Sequence, residues 1–452
     1  MSDHPPMEDC ICAIATAVGG AVAILRLSGE GSEHVASQCW KALDGRSVAE
    51  LPPRQLVLGQ AFREHDVLDA GCLAVRMPAP RSYTGEDIVE LHCHGGALVA
   101  RAILQALLHH GARLANPGEF TRRAFLNGKL DLTQAEAIAD MIAAGSEAAL
   151  RLANQQLNGV LGQRIRNAQD QLQDLLAEIE SRLDFPDEEL DFRSPGTLVQ
   201  QAESIAADLA RLAATRQQGE LLRAGVPLAI AGPPNVGKSS LLNLLLGRER
   251  AIVSDLPGTT RDTVEENVQL RGIPFRLMDT AGVRDDSADT VEAAGIERAR
   301  RAAENASLVL WIFDATRPYA EQEWPGWSRR GPVLLVANKS DLLTNRPVLP
   351  PGTVLVSALT GNGMDTLLQA MEEAVLPQAP QESDFAVAAR HADLLERSAG
   401  SLREAASWLN SEAWELAAVP VRAAIAELGQ ITGTHAPPDV LDTIFSRFCI
   451  GK

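Results

Sequence analysis

One segment of the chain has the residue types and spacing of a phosphate-binding loop. The pattern G-x-x-x-x-G-K-[ST] is matched by Gly232-Pro233-Pro234-Asn235-Val236-Gly237-Lys238-Ser239. The segment follows an apolar run, predicted as a strand over residues 226–231, and precedes a helical run that begins at Ser240. Glycines let backbone N–H groups turn toward phosphate oxygens, and the helix N-terminus adds the positive end of its dipole. Lys238 would then reach the β- and γ-phosphates, and Ser239 would bind Mg²⁺.

Two further segments are predicted to act at the metal and the γ-phosphate. Asp279-Thr280-Ala281-Gly282 ends a predicted strand, where Asp279 would hold Mg²⁺ through water and the Gly282 amide would sense the γ-phosphate. Thr260 is placed to bind the metal when its loop closes over the nucleotide.

A fourth segment predicts that the base is guanine. The segment is Asn338-Lys339-Ser340-Asp341, and the Asp341 carboxylate can accept hydrogen bonds from the ring N–H and the exocyclic amine of guanine. Adenine offers no such pair of donors, so the four segments in this order indicate GTP. The predicted GTP contacts are Asn235, Val236, Gly237, Lys238, Ser239, Ser240, Ser254, Asp255, Leu256, Pro257, Gly258, Thr259, Thr260, Asp279, Thr280, Ala281, Gly282, Asn338, Lys339, Ser340, Asp341, Ser357, Ala358 and Leu359.

The residue that orients the attacking water differs from that of Ras-like switches. Those proteins place a glutamine directly after the D-x-x-G segment, whereas this chain has Val283, which cannot polarise water. Glu292 is the best candidate carboxylate on the segment that follows. The alternative interpretation is that Glu292 is an ordinary surface residue of a helix.

The phosphate loop also suggests a monovalent cation. The side-chain oxygen of Asn235 and inward-facing carbonyls of residues 254–259 would suit K⁺ beside the phosphates. A K⁺ ion there would offset transition-state charge at the place where Ras-type sites receive an arginine. The alternative is a loop that only closes over Mg²⁺.

The elements that position these residues predict a multidomain α/β protein of about three domains. Short apolar runs over 21–27 and 71–75, with a helix over 97–108, predict an α+β domain over residues 1–118. Strands at 226–231, 275–278, 308–313, 333–336 and 354–356 predict a Ras-like G domain over 217–378 with a mostly parallel sheet. Residues 264–270 and 275–278 should form an antiparallel hairpin at one edge, turning at Arg271-Gly272.

Helical patterns on both sides of the G domain predict one helical domain, over 119–216 and 379–452, into which the G domain is inserted. One stripe of apolar residues should lie along a single helix: Leu157, Leu161, Ile165, Leu172, Leu176, Ile179 and Leu183. A second stripe comprises Leu198, Ile205, Leu209 and Leu212. Residues 184–191 form an acidic break, predicted as a solvated loop rather than a metal site. Pro420 should end or kink its helix.

Composition excludes several classes of protein. Lys and Arg number 41 against 59 Asp and Glu, a net charge of −18, so nucleic acid cannot be bound through the whole surface. Six cysteines in 452 residues are too sparse for a disulfide scaffold. The acidic N-terminus does not fit a signal peptide, and no apolar run is long enough for a membrane helix. We therefore expect a cytoplasmic protein without a membrane partner.

Two short clusters invite a zinc interpretation, which their spacing does not favour. Cys10-Ile11-Cys12 and His92-Cys93-His94 lack the C-x-x-C pairing of structural zinc sites, and neighbouring residues alternate between the faces of a strand. Core packing is predicted for both clusters, because free cysteines are usually buried.

Over essentially its whole length the chain resembles the MnmE (TrmE) family of tRNA-modification GTPases, in the TrmE-Era-EngA-YihA-Septin-like superfamily. Besides the GTPase segments, the resemblance is carried by YTGEDIVEL at 83–91, PGEFT at 117–121, AFLNGKLDL at 124–132 and the tail FCIGK at 448–452. One departure is Ala17-Val18-Gly19-Gly20, where the family commonly has Pro-Gly-Arg-Gly-Gly. The resemblance implies an N-terminal domain similar to tetrahydrofolate-binding domains, a helical domain and an inserted G domain.

The same resemblance implies roles for particular residues. Asn235 and the carbonyls of Ser254, Leu256 and Thr259 would bind K⁺, and Glu292 would orient the water. The folate would be contacted by Arg26, Glu90, Lys129 and Lys452. Glu90 can accept hydrogen bonds from pterin N–H groups, while Arg and Lys suit carboxylates. Cys449, in the tail, could serve the modification chemistry as a catalytic thiol or be a small apolar residue.

The family's activity is the addition of a carboxymethylaminomethyl or aminomethyl group to carbon 5 of the wobble uridine of certain tRNAs. It implies a homodimer, a heterotetramer with the FAD enzyme MnmG, tRNA bound largely through that partner, and 5-formyl- or methylenetetrahydrofolate as the carbon donor. Two other interpretations stay open. One is a ribosome-assembly GTPase switch, although the basic appendix expected of it does not stand out. The other is a folate-dependent aminomethyltransferase regulated by its G domain.

Overall fold

The computed structural model describes residues 9–185, 191–248, 266–278, 292–345, 347–375 and 387–452. The chain divides into two compact units. Unit 1 comprises Met1–Ala139, Gln156–Glu203 and Ser401–Lys452, and unit 2 comprises Asp140–Gln155 and Ser204–Gly400. The predicted domain boundaries after residues 118, 216 and 378 stay predictions.

Unit 1 contains, among its described residues, a seven-stranded sheet in the order β3-β4-β5-β6-β2-β1-β7. Neighbouring strands are antiparallel except β1 and β7, which are parallel. Both strands predicted here are confirmed, and each extends beyond its predicted end. The strands are β1 (Ile11–Ile14), β2 (Val22–Ser28), β3 (Trp40–Ala42), β4 (Val57–Arg63), β5 (Asp66–Met77), β6 (Ile88–His94) and β7 (Arg113–Leu114).

The helices of the described residues account for most of the remaining regular structure. None of them is both long and apolar enough to cross a membrane. They are α1 (Ser32–Ser37), α2 (Ala97–His109), α3 (Glu119–Leu126), α4 (Leu132–Ala143), α5 (Glu147–Leu157), α6 (Val160–Asp184), α7 (Pro195–Ala213), α8 (Arg216–Ala224), α9 (Lys238–Arg248), α10 (Glu292–Asn305), α11 (Met364–Val375), α12 (Ala389–Asn410), α13 (Trp414–Thr432) and α14 (Pro438–Phe445).

One hydrophobic cluster of unit 1 covers a face of its sheet. Because side chains alternate between the faces of a strand, Leu25 and Leu27 of β2 and Leu91 of β6 point to the same face. They are buried in one cluster with Ile103 and Leu107 of α2. The helix predicted over residues 97–108 is thus confirmed, and it covers this face.

The two cysteine clusters are only partly core residues. Cys10, Cys12 and Cys93 are buried, as predicted. His94 was predicted wrongly, because its side chain is 73% exposed and its Nδ1 lies 2.9 Å from Oδ1 of the buried Asp69. The physical reason is the strand period: His94 and Cys93 are neighbours on β6, so their side chains point to opposite faces.

The first predicted helical stripe is partly wrong. Leu157 ends α5, and Gly159, with φ 78°, separates it from α6, so the stripe does not lie on a single helix. Within α6 the buried position is Leu175, whereas Leu176 is half-buried. A helix has 3.6 residues per turn, so a stripe of apolar residues locates the buried face only to within about one position. This explains the one-residue error. The second stripe lies on α7, where Leu198, Ile205 and Leu209 are buried and Leu212 is half-buried.

The helix that contains Pro420 does not end there. Helix α13 continues through this proline to Thr432, and Gly433 follows with φ 97°. Pro420 is itself buried, together with Ala417, Val421 and Ala424 of α13. The helix also packs on α6, where Gln169 Nε2 donates to Ile425 O at 3.4 Å. Burial of the α13 face therefore outweighs the missing backbone hydrogen bond of Pro420.

Unit 2 contains, in its described part, a six-stranded sheet in the order β13-β12-β11-β8-β10-β9. All pairs are parallel except the edge pair β9 and β10, which is antiparallel around Arg271-Gly272. The predicted hairpin and the predicted mixed, mostly parallel sheet are both confirmed. The strands are β8 (Val226–Ala231), β9 (Glu266–Leu270), β10 (Ile273–Leu277), β11 (Leu308–Asp314), β12 (Val333–Asn338) and β13 (Val354–Leu355).

Candidate functional site

The phosphate-loop segment joins the end of β8 to the start of α9. Asn235 and Gly237 have φ values of 59° and 94°, and alternation between right- and left-handed backbone is typical of loops that bind anions. The Nζ of Lys238 donates to the carbonyl of Pro233 at 2.8 Å. Val236 is buried, while Ser239 and Ser240 belong to the first turn of α9. The predicted strand–loop–helix context is confirmed.

Asn338 joins the phosphate loop to the predicted base-binding segment. Its Nδ2 donates to the carbonyl of Val236 at 2.8 Å, and its Oδ1 accepts from the N–H of Ala358 at 2.9 Å. Asn338 ends β12, and β8, β11 and β12 are parallel neighbours. Their carboxyl ends therefore meet at one edge of the sheet, where open α/β sheets bind ligands.

The close approach of Gly237 to Asn338 gives a first prediction. An alanine Cβ at position 237 would lie 2.3 Å from Asn338 Nδ2, in a backbone with φ 94° that favours glycine. Gly237→Ala should therefore displace the Asn338 amide and raise the Kd for GDP about tenfold or more, the effect of one lost buried hydrogen bond. Titration with a fluorescent GDP analogue would measure the change.

Gly247→Ala, in helix α9, is the matched control. No heavy atom lies within 4 Å of a Cβ built at Gly247, so this variant should bind GDP like the wild type. Equal Kd values for Gly237→Ala and Gly247→Ala would contradict the proposed role of the Asn338 link.

Asp341, the residue predicted to select the base, is exposed, and one of its carboxylate oxygens is held by a hydrogen bond. It lies in a short 3₁₀ helix, Ser340–Leu342, and its Oδ1 accepts a hydrogen bond from the buried Ser357 hydroxyl at 2.6 Å. The N–H of Thr360 in turn donates to Ser357 Oγ at 3.1 Å. The exposed carboxylate can therefore accept hydrogen bonds from a base, while Ser357 fixes its orientation.

Sequence reasoning missed two residues at this edge, Asp314 and Gln322. Asp314 ends β11 between the phosphate loop and Asn338, and its Oδ2 accepts from Lys339 Nζ at 2.7 Å. Gln322 is buried and binds the backbone of Asp314. The signal for Asp314 was present: it ends an apolar run that, like its neighbours, leads to the carboxyl edge of the sheet.

Several predicted contacts lie outside the described residues. They are Ser254, Asp255, Leu256, Pro257, Gly258, Thr259 and Thr260, and Asp279, Thr280, Ala281 and Gly282. Glu292 is the first residue of α10, and its catalytic role stays a prediction. The Leu359 side chain is 84% exposed, and support of the base by a backbone amide of residues 357–359 stays a prediction.

Two of the four predicted folate residues form an ion pair in unit 1. Arg26 and Glu90 are opposite each other on the paired strands β2 and β6, and Arg26 Nε donates to Glu90 Oε1 at 2.8 Å. The guanidinium carbon of Arg26 lies 5.7 Å from the ring centroids of both Tyr83 and Phe120. Both rings are functional candidates that the motif comparison did not single out.

The charge of Glu90 is stabilised by its neighbours. Burial raises its pKa, but hydrogen bonds and charge interactions with His92 and Arg26 outweigh burial, so the pKa of Glu90 lies below its usual range. His92 Nε2 lies 3.3 Å from Glu90 Oε2. Glu90 is therefore ionised at neutral pH and can accept hydrogen bonds from N–H groups of a ligand.

The C-terminal tail lies beside this ion pair. The N–H of Phe120 donates to the carbonyl of Lys452 at 3.2 Å, and the N–H of Gly118 donates to that of Cys449 at 3.4 Å. A Cβ at the buried Gly451, which has φ 99°, would lie 2.6 Å from the Ile14 carbonyl, so the close approach requires glycine. The structure therefore places Lys452 near Phe120.

Lys129 and Cys449 have different surroundings. Lys129 Nζ donates to the carbonyl of Pro80 at 3.0 Å. Cys449 is exposed, whereas the other five cysteines are buried. Burial raises the pKa of the Cys39 thiol to about 12, which keeps it protonated. An accessible thiol is a requirement for the proposed catalytic role of Cys449.

Comparison with known proteins gives matches over nearly the whole length. A family model described as "GTP-binding protein TrmE N-terminus" matches residues 10–129, and one described as "MnmE helical domain" matches residues 132–449. A relative from Akkermansia muciniphila is 44% identical over 450 residues, which cover 98% of this chain and 99% of the relative. One from Synechococcus sp. (strain JA-3-3Ab) is 44% identical over 458 residues, 99% of both chains. One from Clostridioides difficile is 38% identical over 459 residues, 99% of this chain and 100% of the relative. Each of the three is named "tRNA modification GTPase MnmE".

Proposed function

Because this chain belongs to the MnmE family and is a GTPase that acts in tRNA modification, we propose a specific reaction. GTP hydrolysis drives addition of a carboxymethylaminomethyl or aminomethyl group to carbon 5 of the wobble uridine of certain tRNAs. The chain acts as a homodimer that forms a heterotetramer with an FAD enzyme of the MnmG type. The net charge of −18 supports tRNA binding largely through that partner.

The observation that carries the proposal is the ion pair of Arg26 and Glu90 beside the C-terminal tail. An ionised carboxylate, paired with an arginine that lies 5.7 Å from two aromatic rings, suits a flat, N–H-bearing ring system such as a pterin. Arg26 stays paired with Glu90, while the lysine side chains suit the carboxylates of the glutamate part of a folate. These groups fit 5-formyl- or methylenetetrahydrofolate, which would supply one carbon atom, with Arg26, Glu90, Lys129 and Lys452 as its contacts.

Mass spectrometry of wobble uridines tests the proposal. A deletion strain should lose the modified nucleoside, wild-type chain should restore it, and Glu90→Gln should not. Normal tRNA with a defect in ribosome assembly would instead support the assembly switch. Loss of folate binding and modification in Glu90→Gln with an unchanged GTPase rate would point toward a folate-dependent aminomethyltransferase that the G domain regulates.

The described part of the nucleotide site fits Mg²⁺ and K⁺. Ser239, in the first turn of α9, would bind Mg²⁺ together with Thr260, and the ion would neutralise phosphate charge. The Asn235 side chain is exposed in the phosphate loop and could present an oxygen to K⁺, with the carbonyls of Ser254, Leu256 and Thr259 completing the set. Glu292 would orient the attacking water, a role that this chain needs because Val283 cannot perform it.

The K⁺ proposal gives a second prediction. GTP turnover in KCl should exceed that in NaCl at equal ionic strength by at least about tenfold, because stabilising developing charge by 1.4 kcal/mol already changes the rate that much. Asn235→Ala should abolish the difference between the two salts. Comparable rates for the wild type in both salts would refute the K⁺ site and leave the GTPase assignment unchanged.

A further inference from the structure

The carboxylate of Asp314 divides its two oxygens between two groups. Oδ1 accepts from the N–H of Thr316 at 2.9 Å and from its hydroxyl at 2.7 Å. Oδ2 accepts from Lys339 Nζ at 2.7 Å. Burial raises the pKa of Asp314, but the hydrogen bonds from Lys339 and Thr316 outweigh it and hold the pKa below its usual range. Asp314 is therefore charged at neutral pH.

The backbone of Asp314 is held as firmly as its side chain. Its N–H donates to Gln322 Oε1 at 2.8 Å, and its carbonyl accepts from Gln322 Nε2 at 3.1 Å. Gln322 is only 5% exposed, and its own carbonyl accepts from Trp311 Nε1 at 2.8 Å. Gln322 thus holds the backbone of Asp314 in place at the end of β11.

Lys339 is in a backbone conformation that a lysine does not favour. Its φ and ψ are 68° and 33°, in the left-handed region, which costs an L-residue other than glycine some free energy. Lys339 lies between Asn338, which binds the phosphate loop, and the short helix that carries Asp341. Such strain persists where the surroundings hold the residue in place, and the contact with Asp314 does so here.

We propose that Asp314 is a positioning residue for guanine recognition. By holding Lys339 Nζ, it keeps the left-handed turn in the arrangement that aims Asp341 at the base. Both Asp314 and Lys339 line a pocket whose other wall includes Pro233 and Asn235 of the phosphate loop. The proposal rests on guanine-nucleotide binding by this site and adds a residue outside the four GTPase segments.

The test compares GDP with IDP, which lacks the exocyclic amine that Asp341 would bind. Asp314→Asn keeps an oxygen for Thr316 but presents an amide to Lys339, so the turn loses its anchor. We expect the Kd for GDP to rise about tenfold, the effect of one charge-assisted hydrogen bond. The ratio of the IDP and GDP dissociation constants should fall, because a relaxed turn discriminates less. A purely structural role would lower the unfolding midpoint without changing that ratio.

A double-mutant cycle shows whether Asp314 acts through Lys339. In a Lys339→Met background, Asp314→Asn should cause no further loss of GDP affinity. Glu323→Gln is the matched control, because it removes a carboxylate from the same loop at an exposed position and should leave both constants unchanged. Because Lys339 is itself a predicted GTP contact, Lys339→Met should lower the affinity on its own, and a further loss on adding Asp314→Asn would contradict the proposal.

Two negative outcomes are distinguishable. Wild-type affinity and selectivity in both Asp314→Asn and Lys339→Met would overturn the positioning role while leaving the GTPase intact. A wild-type chain that binds GDP and ADP equally would overturn guanine recognition itself.

Discussion

Asp341→Asn is expected to lower kcat/KM for GTP by about 10³-fold or more and to make XTP the better substrate. A carboxylate accepts hydrogen bonds from both guanine donors. An asparagine side chain instead points an N–H group at one of these donors, and that guanine donor is left without an acceptor. Sites built to hydrogen-bond a substrate discriminate by such factors because a wrong partner leaves buried polar groups unsatisfied. Xanthine has a carbonyl in place of the amine, so it can accept from the new amide. Steady-state kinetics with GTP, ITP and XTP would measure the switch.

The structure indicates why this variant should still fold. Oδ1 of Asp341 accepts from Ser357 at 2.6 Å, and an asparagine oxygen can accept the same bond. Leu342→Ala, one residue later at a side chain that is 62% exposed, is the control and should retain the wild-type preference for GTP. An Asp341→Asn variant that hydrolyses GTP and XTP as the wild type does would show that another residue reads the base.

Arg123→Met is expected to destabilise unit 1 by about 3–5 kcal/mol, the typical cost of breaking a buried ion pair. The Arg123 side chain is 1% exposed and contacts three acids: Asp9 at 2.7 Å, and Glu86 and Glu119 at 3.2 Å. Glu119 is 4% exposed, so losing Arg123 leaves a buried carboxylate with fewer partners. Hydrogen exchange of the β2 amides in increasing urea would report the loss for this unit.

The neighbouring residue provides the control. Arg122 pairs with Asp442, which is 61% exposed, at 2.8 Å, and such solvent-screened pairs contribute about 1 kcal/mol or less. Arg122→Met should therefore have a much smaller effect than Arg123→Met. Equal effects of the two changes would mean that burial of the ion cluster is not what stabilises the unit.

The same cluster gives the stability of unit 1 a defined pH dependence. Burial raises the pKa of Glu119, but bonds from Arg113 and the Asn116 N–H outweigh it, and the pKa lies below its usual 4.5. A lowered carboxyl pKa contributes stability that is present above pH 4.5 and is lost as the pH falls below it. Arg123 also favours the charged form of Glu119. The Arg123→Met variant should therefore lose less stability on acidification than the wild type does.

Three predictions made from local sequence patterns differ from the structure, because such patterns do not describe tertiary packing. The assignment of Leu176 to the helix core was wrong by one position, because a helical period defines a face but not its edges. Pro420 was predicted to end or kink its helix; the ending is wrong, because burial of α13 outweighs one missing hydrogen bond, and the kink stays a prediction. His94 was grouped with Cys93 although neighbouring strand residues face opposite ways.

The sequence by itself determined the phosphate loop, the guanine segment, the edge hairpin and the family. Each of these depends on residues close together in the chain, where a turn, a strand period or a motif leaves a readable pattern. Only the tertiary structure decided which distant groups meet. Arg123 and Asp9 are 114 residues apart, and Lys339 and Asp314 are 25 apart. Such pairings arise from the way distant elements pack, which no local pattern encodes, and they bring together the charges that stabilise unit 1 and the candidate nucleotide site.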